Sequence, residues 1–237
     1  MNIKVSIIIP FYNCPFIGQA IYSALNQTYS NIEVIVVNDG STIHQSNIHK
    51  IRKMKPFRYF EKRNGGAASA LNMGIKNATG KYIAWLSSDD LFERSKIEKQ
   101  VLFMQQRNLS ISHTNYSIIN KAGSITNPRA GTSYAHRKIF SKNLLKTCFI
   151  NGCTVMMRAD IFKKIGFFDE KLIYAHDYDF WLRAVQYYTF GYINQPLTRY
   201  RYHEGMGSVK NNTALVQEAN RIRTKYSPII KNFFNKR

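Results

Sequence analysis

Apolar and polar positions fall into blocks whose period changes along the chain. Val5 to Ile9 is a β-branched apolar run closed by Pro10. A short run with no polar alternation predicts a strand buried on both faces. From Ile17 to Leu25 the spacing turns helical, with Ala20, Ile21, Ala24 and Leu25 on one side. Ile32 to Val37 predicts a second buried strand, ended by the turn residues Asn38-Asp39-Gly40-Ser41. Strand, helix and strand in this order make a βαβ unit with a right-handed crossover. A weaker strand follows at Phe57 to Phe60, then a turn at Asn64-Gly65-Gly66 and a helix of small residues from Ala67 to Asn77. Lys81 to Leu86 is the fourth strand. Ser87-Ser88-Asp89-Asp90 stands at its carboxyl end, the edge where open α/β sheets hold ligands, and Asp39 projects toward that same edge.

The second half is less regular. It predicts a helix from Ser95 to Gln106, alternating strands within Asn108 to Asn127, and a polar loop from Pro128 to Arg137. A strand from Asn151 to Arg158 follows, then a short helix from Asp160 to Ile165 stopped by Gly166. Tyr178 to Tyr187 reads as an amphipathic helix, and Phe190 to Ile193 and Leu197 to Tyr202 as closing strands. Beyond Gly207 lies a basic helical tail. Pro228 interrupts its pattern and argues against one long helix. With no internal repeat or low-complexity linker, the reading is a single α/β domain over 1–207. Its nucleotide-binding half is about 1–107, its acceptor half about 108–207, and 208–237 form the tail.

Composition narrows the function. A 44% hydrophobic content supports a folded core. Thirty-four Lys and Arg against 14 Asp and Glu give a formal charge of +20, which fits nucleic acid, an anionic membrane surface or phosphorylated substrates. The helix-turn-helix, RRM and zinc signatures of a nucleic-acid binder are missing, so none is expected as partner. Cys14, Cys148 and Cys153 lack zinc spacing and predict buried, reduced thiols in a cytoplasmic protein. No signal peptide opens the sequence, and no apolar run reaches the roughly 20 residues of a membrane span. Any meeting with a membrane is peripheral.

Four segments carry candidate chemistry, each with a plainer reading beside it. Asp89 and Asp90 suit a hard divalent cation, Mg²⁺ or Mn²⁺, or else cap a helix. Asp177, in His176-Asp177-Tyr178-Asp179, suits a general base, or else a cap; Asp179 and Arg183 have the i,i+4 spacing of a surface pair. The amides around Asn64, Gly65 and Gly66 suit close approach to phosphate, or else a tight turn. Arg199, Arg201 and His203 alternate onto one strand face.

Together these segments resemble family-2 glycosyltransferases with the GT-A fold, a Rossmann-like, mostly parallel sheet flanked by helices. The resemblance runs through Pro10-Phe11-Tyr12-Asn13, Val36-Val37-Asn38-Asp39-Gly40-Ser41, Asn64-Gly65-Gly66 and Trp85-Leu86-Ser87-Ser88-Asp89-Asp90. It resumes at Gly166-Phe167-Phe168-Asp169-Glu170, His176 to Arg183 and Tyr200-Arg201-Tyr202-His203. It implies that Pro10, Tyr12, Asn13 and Asp39 hold the nucleotide base, with Asn64, Gly65, Ser88, Asp89 and Arg201 also on the donor. It implies Asp89, Asp90 and His203 at the metal, and Asp177 as base of an inverting, single-sugar transfer. Ser87 departs from the usual first Asp of the pattern, and His176 stands where Glu is common. The implied partners are a nucleotide-sugar donor, probed first as UDP, and a glycan or lipid-linked glycan acceptor at the inner face of the cell membrane. Two other classes remain at this point: a non-catalytic transferase fold that binds nucleotide, favoured by Ser87, and a basic nucleic-acid-binding protein, favoured by the charge and the aromatic and Lys/Arg interleaving of the tail. A glycosidase also uses two carboxylates but needs no nucleotide site.

Overall fold

The computed structural model describes residues 3–235. Its first half alternates strands and helices: β1 (Val5–Phe11), α1 (Ile17–Leu25), β2 (Ile32–Asn38), α2 (Gln45–Met54), β3 (Arg58–Glu61), α3 (Gly66–Asn77) and β4 (Tyr82–Trp85). The second half continues with β5 (Leu91–Phe92), α4 (Lys96–Gln106), β6 (Ile111–Ile119), β7 (Ile125–Asn127) and α5 (Arg137–Lys146). A 3₁₀ turn (Gly152–Thr154), β8 (Met156–Arg158), α6 (Ile161–Ile165), α7 (His176–Ala184), β9 (Phe190–Arg201), α8 (Gly207–Lys210) and α9 (Asn212–Asn235) complete it.

One sheet spans both halves in the order β3-β2-β1-β4-β8-β6-β9-β5, with β7 on β6. Strands β3, β2, β1 and β4 are parallel, and β8 turns the sheet antiparallel against β4. Chain order reverses between β1 and β4, so a crevice opens at their carboxyl ends. The unbroken apolar runs follow from burial on both faces. Ile8, Ile35, Val37 and Ile83 face one core with α3 and α7. Ile7, Ile9, Val34 and Val36 face the other, beneath α1. Gly74 lets α3 lie close on the sheet, since a Cβ there would sit 2.3 Å from Ile8 Cγ2.

Several elements differ from the pattern. Helices α2 and α5 escape it because few of their residues are buried and apolar: Ile48 in α2, and Phe140 and Leu144 in α5. Asn151 to Arg158 is not one strand. The Asn151 side chain accepts from the Cys153 N–H at 2.9 Å and folds its first half into the 3₁₀ turn. The two closing strands are one, β9, whose register shifts near Pro196 where the ladder cannot use a proline N–H. Helix α7 begins at His176, two residues early.

Helix α9 runs through Pro228. A proline inside a helix costs about 3 kcal/mol. Ile222, Tyr226 and Ile230 are buried in the main core, and each such side chain contributes about 1.5–3 kcal/mol. Docking therefore outweighs the local penalty, and the tail is folded onto the domain. Nor are all the thiols buried: Cys153 is, Cys14 is half-buried and Cys148 exposed, and all three are free.

Candidate active site

A cavity of about 600 Å³ opens at the carboxyl edge, lined among others by Trp85, Asp89, Asp90, His176, Asp177 and Tyr200. It brings the acidic pair and the expected base into one space. A groove of about 720 Å³ lies elsewhere, outside α1, beside the Glu93–Arg199 ion pair. It is larger, but its lining carries none of the candidate catalytic carboxylates.

The acidic pair splits into two environments. Asp90 is 1% exposed. Its Oδ1 accepts from the Arg201 N–H at 2.8 Å, while Oδ2 is buried without a hydrogen-bond partner. Burial first, and the neighbouring Asp89 charge second, push its carboxyl well above the usual range. Asp89 is more open, and its Oδ2 lies 3.2 Å from His203 Nε2. Ser87 lines the same cavity beside Cys153, Oγ to Sγ at 3.0 Å, so a serine and a buried thiol stand together where an acid would be commoner. No three acidic, His or Cys side chains converge into a complete metal cage among the described residues. The donor set still fits a hard cation, because Mg²⁺-type ions take one or two carboxylates and complete their shell with phosphate and water. An orphaned carboxylate oxygen supports that fit, since a bound cation reverses the penalty on its charge.

Arg201 is a structural tie in this geometry. Its guanidinium donates to the carbonyls of Asp89, Asn120 and Lys121 and to Gln19 Oε1, and it stacks on Phe16 at 4.3 Å. The two arginines of the alternating set are therefore committed to protein partners: Arg199 pairs with Glu93, and Arg201 is 1% exposed.

The residues expected at the nucleotide lie at or after the ends of β1 and β2, before α3 and after β4. Asp39 is buried, and its carboxylate accepts from Lys62 Nζ at 2.7 Å and from the N–H groups of Gly65 and Gly66 at 3.0 and 2.8 Å. The glycine amides read as a phosphate cradle thus already hold an anion, the Asp39 side chain. Gly66 has a positive φ of 86°, which glycine adopts without strain. Asn64 donates to the Asp39 carbonyl at 3.0 Å. Asn13, at φ 48°, accepts from the Thr42 and Ile43 N–H groups and pins the following loop. Pro10 is half-buried, Tyr12 is 54% exposed, and the Ser88 carbonyl accepts from the Cys14 thiol. None of Pro10, Tyr12, Asn13, Asp39, Asn64, Gly65 or Ser88 lines the 600 Å³ cavity.

Asp177 is half-buried near the start of α7, and its Oδ1 accepts from the Tyr178 N–H at 2.7 Å. Burial raises its carboxyl above the ordinary value. Beside it, His176 is tilted over Trp85 at 5.7 Å and meets Phe168 edge-on. Neither of its ring nitrogens makes a hydrogen bond, and Trp85 Nε1 is also buried without a partner. Burial lowers the His176 pKa, opposed by the Asp177 and Glu218 charges and by the nearby Ile173 backbone. Asp179 is no surface pair. It is 2% exposed, holding Arg183 at 2.8 Å and the Tyr226 hydroxyl at 2.9 Å. The wall made by Trp85, His176 and Cys153 was not legible as a site, because each looks like an ordinary core residue. The only signal was His176, standing where the resemblance places an acid.

An open sheet with carboxylates at the carboxyl ends of its strands is the frame of a GT-A glycosyltransferase. The chain belongs to glycosyl transferase family 2, whose model matches residues 6–166. An uncharacterised glycosyltransferase of Rickettsia typhi is 41% identical over 218 residues, covering 90% of this chain and 67% of that protein. Against a Rickettsia felis glycosyltransferase, 40% identical over 208 residues and 85% of this chain, the chain spans only 33% of the relative's length. Escherichia coli WfaP, a UDP-Glc:alpha-D-GlcNAc-diphosphoundecaprenol beta-1,3-glucosyltransferase, is 36% identical over 221 residues, 91% of this chain and 84% of WfaP. Among solved structures, Staphylococcus aureus TarS 1–349 matches with a TM-score of 0.71 at 19% identity, over 98% of this chain and 71% of that one. That last likeness is one of fold.

Proposed function

We propose that this chain is an inverting glycosyltransferase that moves one sugar from a UDP-sugar to a hydroxyl of a lipid-linked glycan. The observation that carries it is a single cavity lined by both Asp177 and Asp90, whose buried Oδ2 has no hydrogen-bond partner. The UDP donor and the diphospholipid acceptor are supported by the activity of WfaP.

The chain's own residues have separable tasks. Asp39 accepts from the imide N–H of the base. Of its three donors only Lys62 sits on a flexible side chain, so Lys62 is the one displaced. Pro10, Tyr12 and Asn13 border that base, with Asn64, Gly65 and Ser88 beside it. The sugar's hydroxyls fill the unpartnered groups of Trp85 and His176; a desolvated polar group without a partner costs about 1–3 kcal/mol, which a hydroxyl recovers. Asp177 takes the proton of the acceptor hydroxyl. The acceptor oxygen bonds to the anomeric carbon as the bond to the nucleoside diphosphate breaks on the opposite face, which inverts the configuration. Mn²⁺ or Mg²⁺ held by Asp89, Asp90 and His203 would neutralise the departing diphosphate.

The test is a thermal-shift screen of nucleotide sugars with and without Mn²⁺, followed by transfer to a synthetic GlcNAc diphospholipid. Donor binding stabilises by mass action. Stabilisation by UDP-sugars, with transfer abolished by EDTA and restored by Mn²⁺ or Mg²⁺, is expected. Full activity in chelated buffer would remove the metal. Binding without turnover would instead mark a non-catalytic fold.

A further inference from the structure

The C-terminal helix reaches the base through one acid. Glu218 is the single acidic residue after Gly207. Its carboxylate accepts three consecutive backbone N–H groups: Ile173 on Oε1 at 3.0 Å, and Tyr174 and Ala175 on Oε2 at 2.9 Å each. Those residues lead straight into α7, whose second residue is Asp177. Ala175, at the cap position, has no side chain with which to close the helix. Glu218 supplies that anion from a distant part of the chain. Bonds from N–H groups to a carboxylate are charge-assisted, and an acid at a helix N-terminus is favoured by the dipole.

The next turn of α7 is tied to the same helix. Asp179 Oδ1 accepts from the Tyr226 hydroxyl at 2.9 Å and pairs with Lys225 at 3.5 Å. Two contacts, one on each side of Asp177, therefore come from α9. Ile173, Tyr174 and Ala175 themselves line the cavity with Asp177. A change in this turn moves the cavity wall and the carboxylate together.

We propose that Glu218 is a positioning residue for transfer: it fixes the Ile173–Ala175 turn so that Asp177 faces the acceptor. The inference rests on the reading of Asp177 as base. Glu218 touches no reacting atom, and its effect passes through the turn.

Two measurements on the full chain test it. In hydrogen exchange, Glu218→Ala and Glu218→Gln should speed exchange in peptides covering 173–178 and leave β1 and β4 unchanged. Unaltered protection of that turn would overturn the clasp. Circular dichroism shows whether each variant is folded, and Glu218→Gln, which keeps one acceptor oxygen, covers the case in which the alanine variant is not. In transfer from UDP-glucose to a GlcNAc diphospholipid, kcat should fall about 10–100-fold, the cost of a misplaced group, with KM for UDP-glucose within about twofold. Adding Glu218→Ala to Asp177→Asn should cost less than about twofold more, because the base is already gone. Fully additive losses, or a folded Glu218→Ala with normal kcat, would overturn the positioning role. Failure of the unaltered chain to turn over any nucleotide sugar would instead overturn the transferase reading beneath it.

Discussion

Single residues set the chemistry, and their environments make sharp expectations. Asp177→Asn should lower kcat by about 10²–10⁴-fold, the usual contribution of a positioned base, while UDP binding measured by calorimetry survives. A base works when deprotonated. Because burial raises the Asp177 pKa, the acid limb of the kcat profile should lie above the ordinary carboxylate range, with activity lost as pH falls through it. Normal turnover in the asparagine variant would remove Asp177 from the mechanism. Lys96 gives a different signal. It is fully buried against Phe92, with Nζ 2.6 Å from Gln100 Oε1, and burial lowers its pKa to about 7. Above that value the folded chain holds fewer protons than the unfolded one, so stability rises with pH toward the free-amine range. The melting temperature of Lys96→Met relative to the unaltered chain should therefore fall as pH rises from about 7. A pH-independent difference in paired melts would refute this. Asp39, Asp89, Asp90 and Asp177 could be picked out in the sequence because acids at strand and helix ends are few. Trp85 and His176 could not, since their significance is the absence of partners, which only the packed structure reveals.

Elements were legible in proportion to what they bury. Strands β1, β2 and β4 are covered on both faces and appear as unbroken apolar runs, whereas α2 and α5 show the solvent a polar face and leave little pattern. Helix α9 was obscured by a local rule, proline as helix breaker, that tertiary packing overrides. Its docking side chains can be weighed. Ile222→Ala or Ile230→Ala should cost about 2–5 kcal/mol in denaturant unfolding, as for other buried isoleucines. Pro228→Ala should change stability in the opposite direction if the helix then relaxes. Small losses on shortening both isoleucines would mean that α9 is a loosely held appendage.

On the scale of the molecule, the +20 charge remains to be matched to a surface. In the tail sequence Lys210, Arg221, Arg223, Lys225, Lys231, Lys236 and Arg237 are interleaved with Tyr226, Ile229, Ile230, Phe233 and Phe234, a pattern that by itself suits a basic, aromatic patch on anionic lipid. The structure withdraws Tyr226 and Ile230 into the core and commits Lys225 to Asp179. Lys236 and Arg237 lie outside the described residues. Arg221, Lys231 and the partly exposed Ile229 remain on the outer face. No helix among the described residues is long and apolar enough to cross a membrane. The exposed basic residues of the tail would each be drawn to an anionic lipid surface by about 1 kcal/mol. The chain should sediment with anionic but not neutral vesicles, and less in high salt. Arg221→Gln with Lys231→Gln should weaken the effect; binding indifferent to lipid charge would rule out an electrostatic anchor.

The clasp between α7 and α9 also bears on how the molecule comes into being. On the ribosome the strands around the nucleotide edge emerge early and pair with near neighbours, so that half has what it needs to collapse first. Asp177 emerges later, and the three amides before it must wait for Glu218, more than forty positions downstream. A nascent chain released after Gly207 would lack the acid that holds the Ile173–Ala175 turn. The order of synthesis therefore places the closing of this turn among the last events of folding.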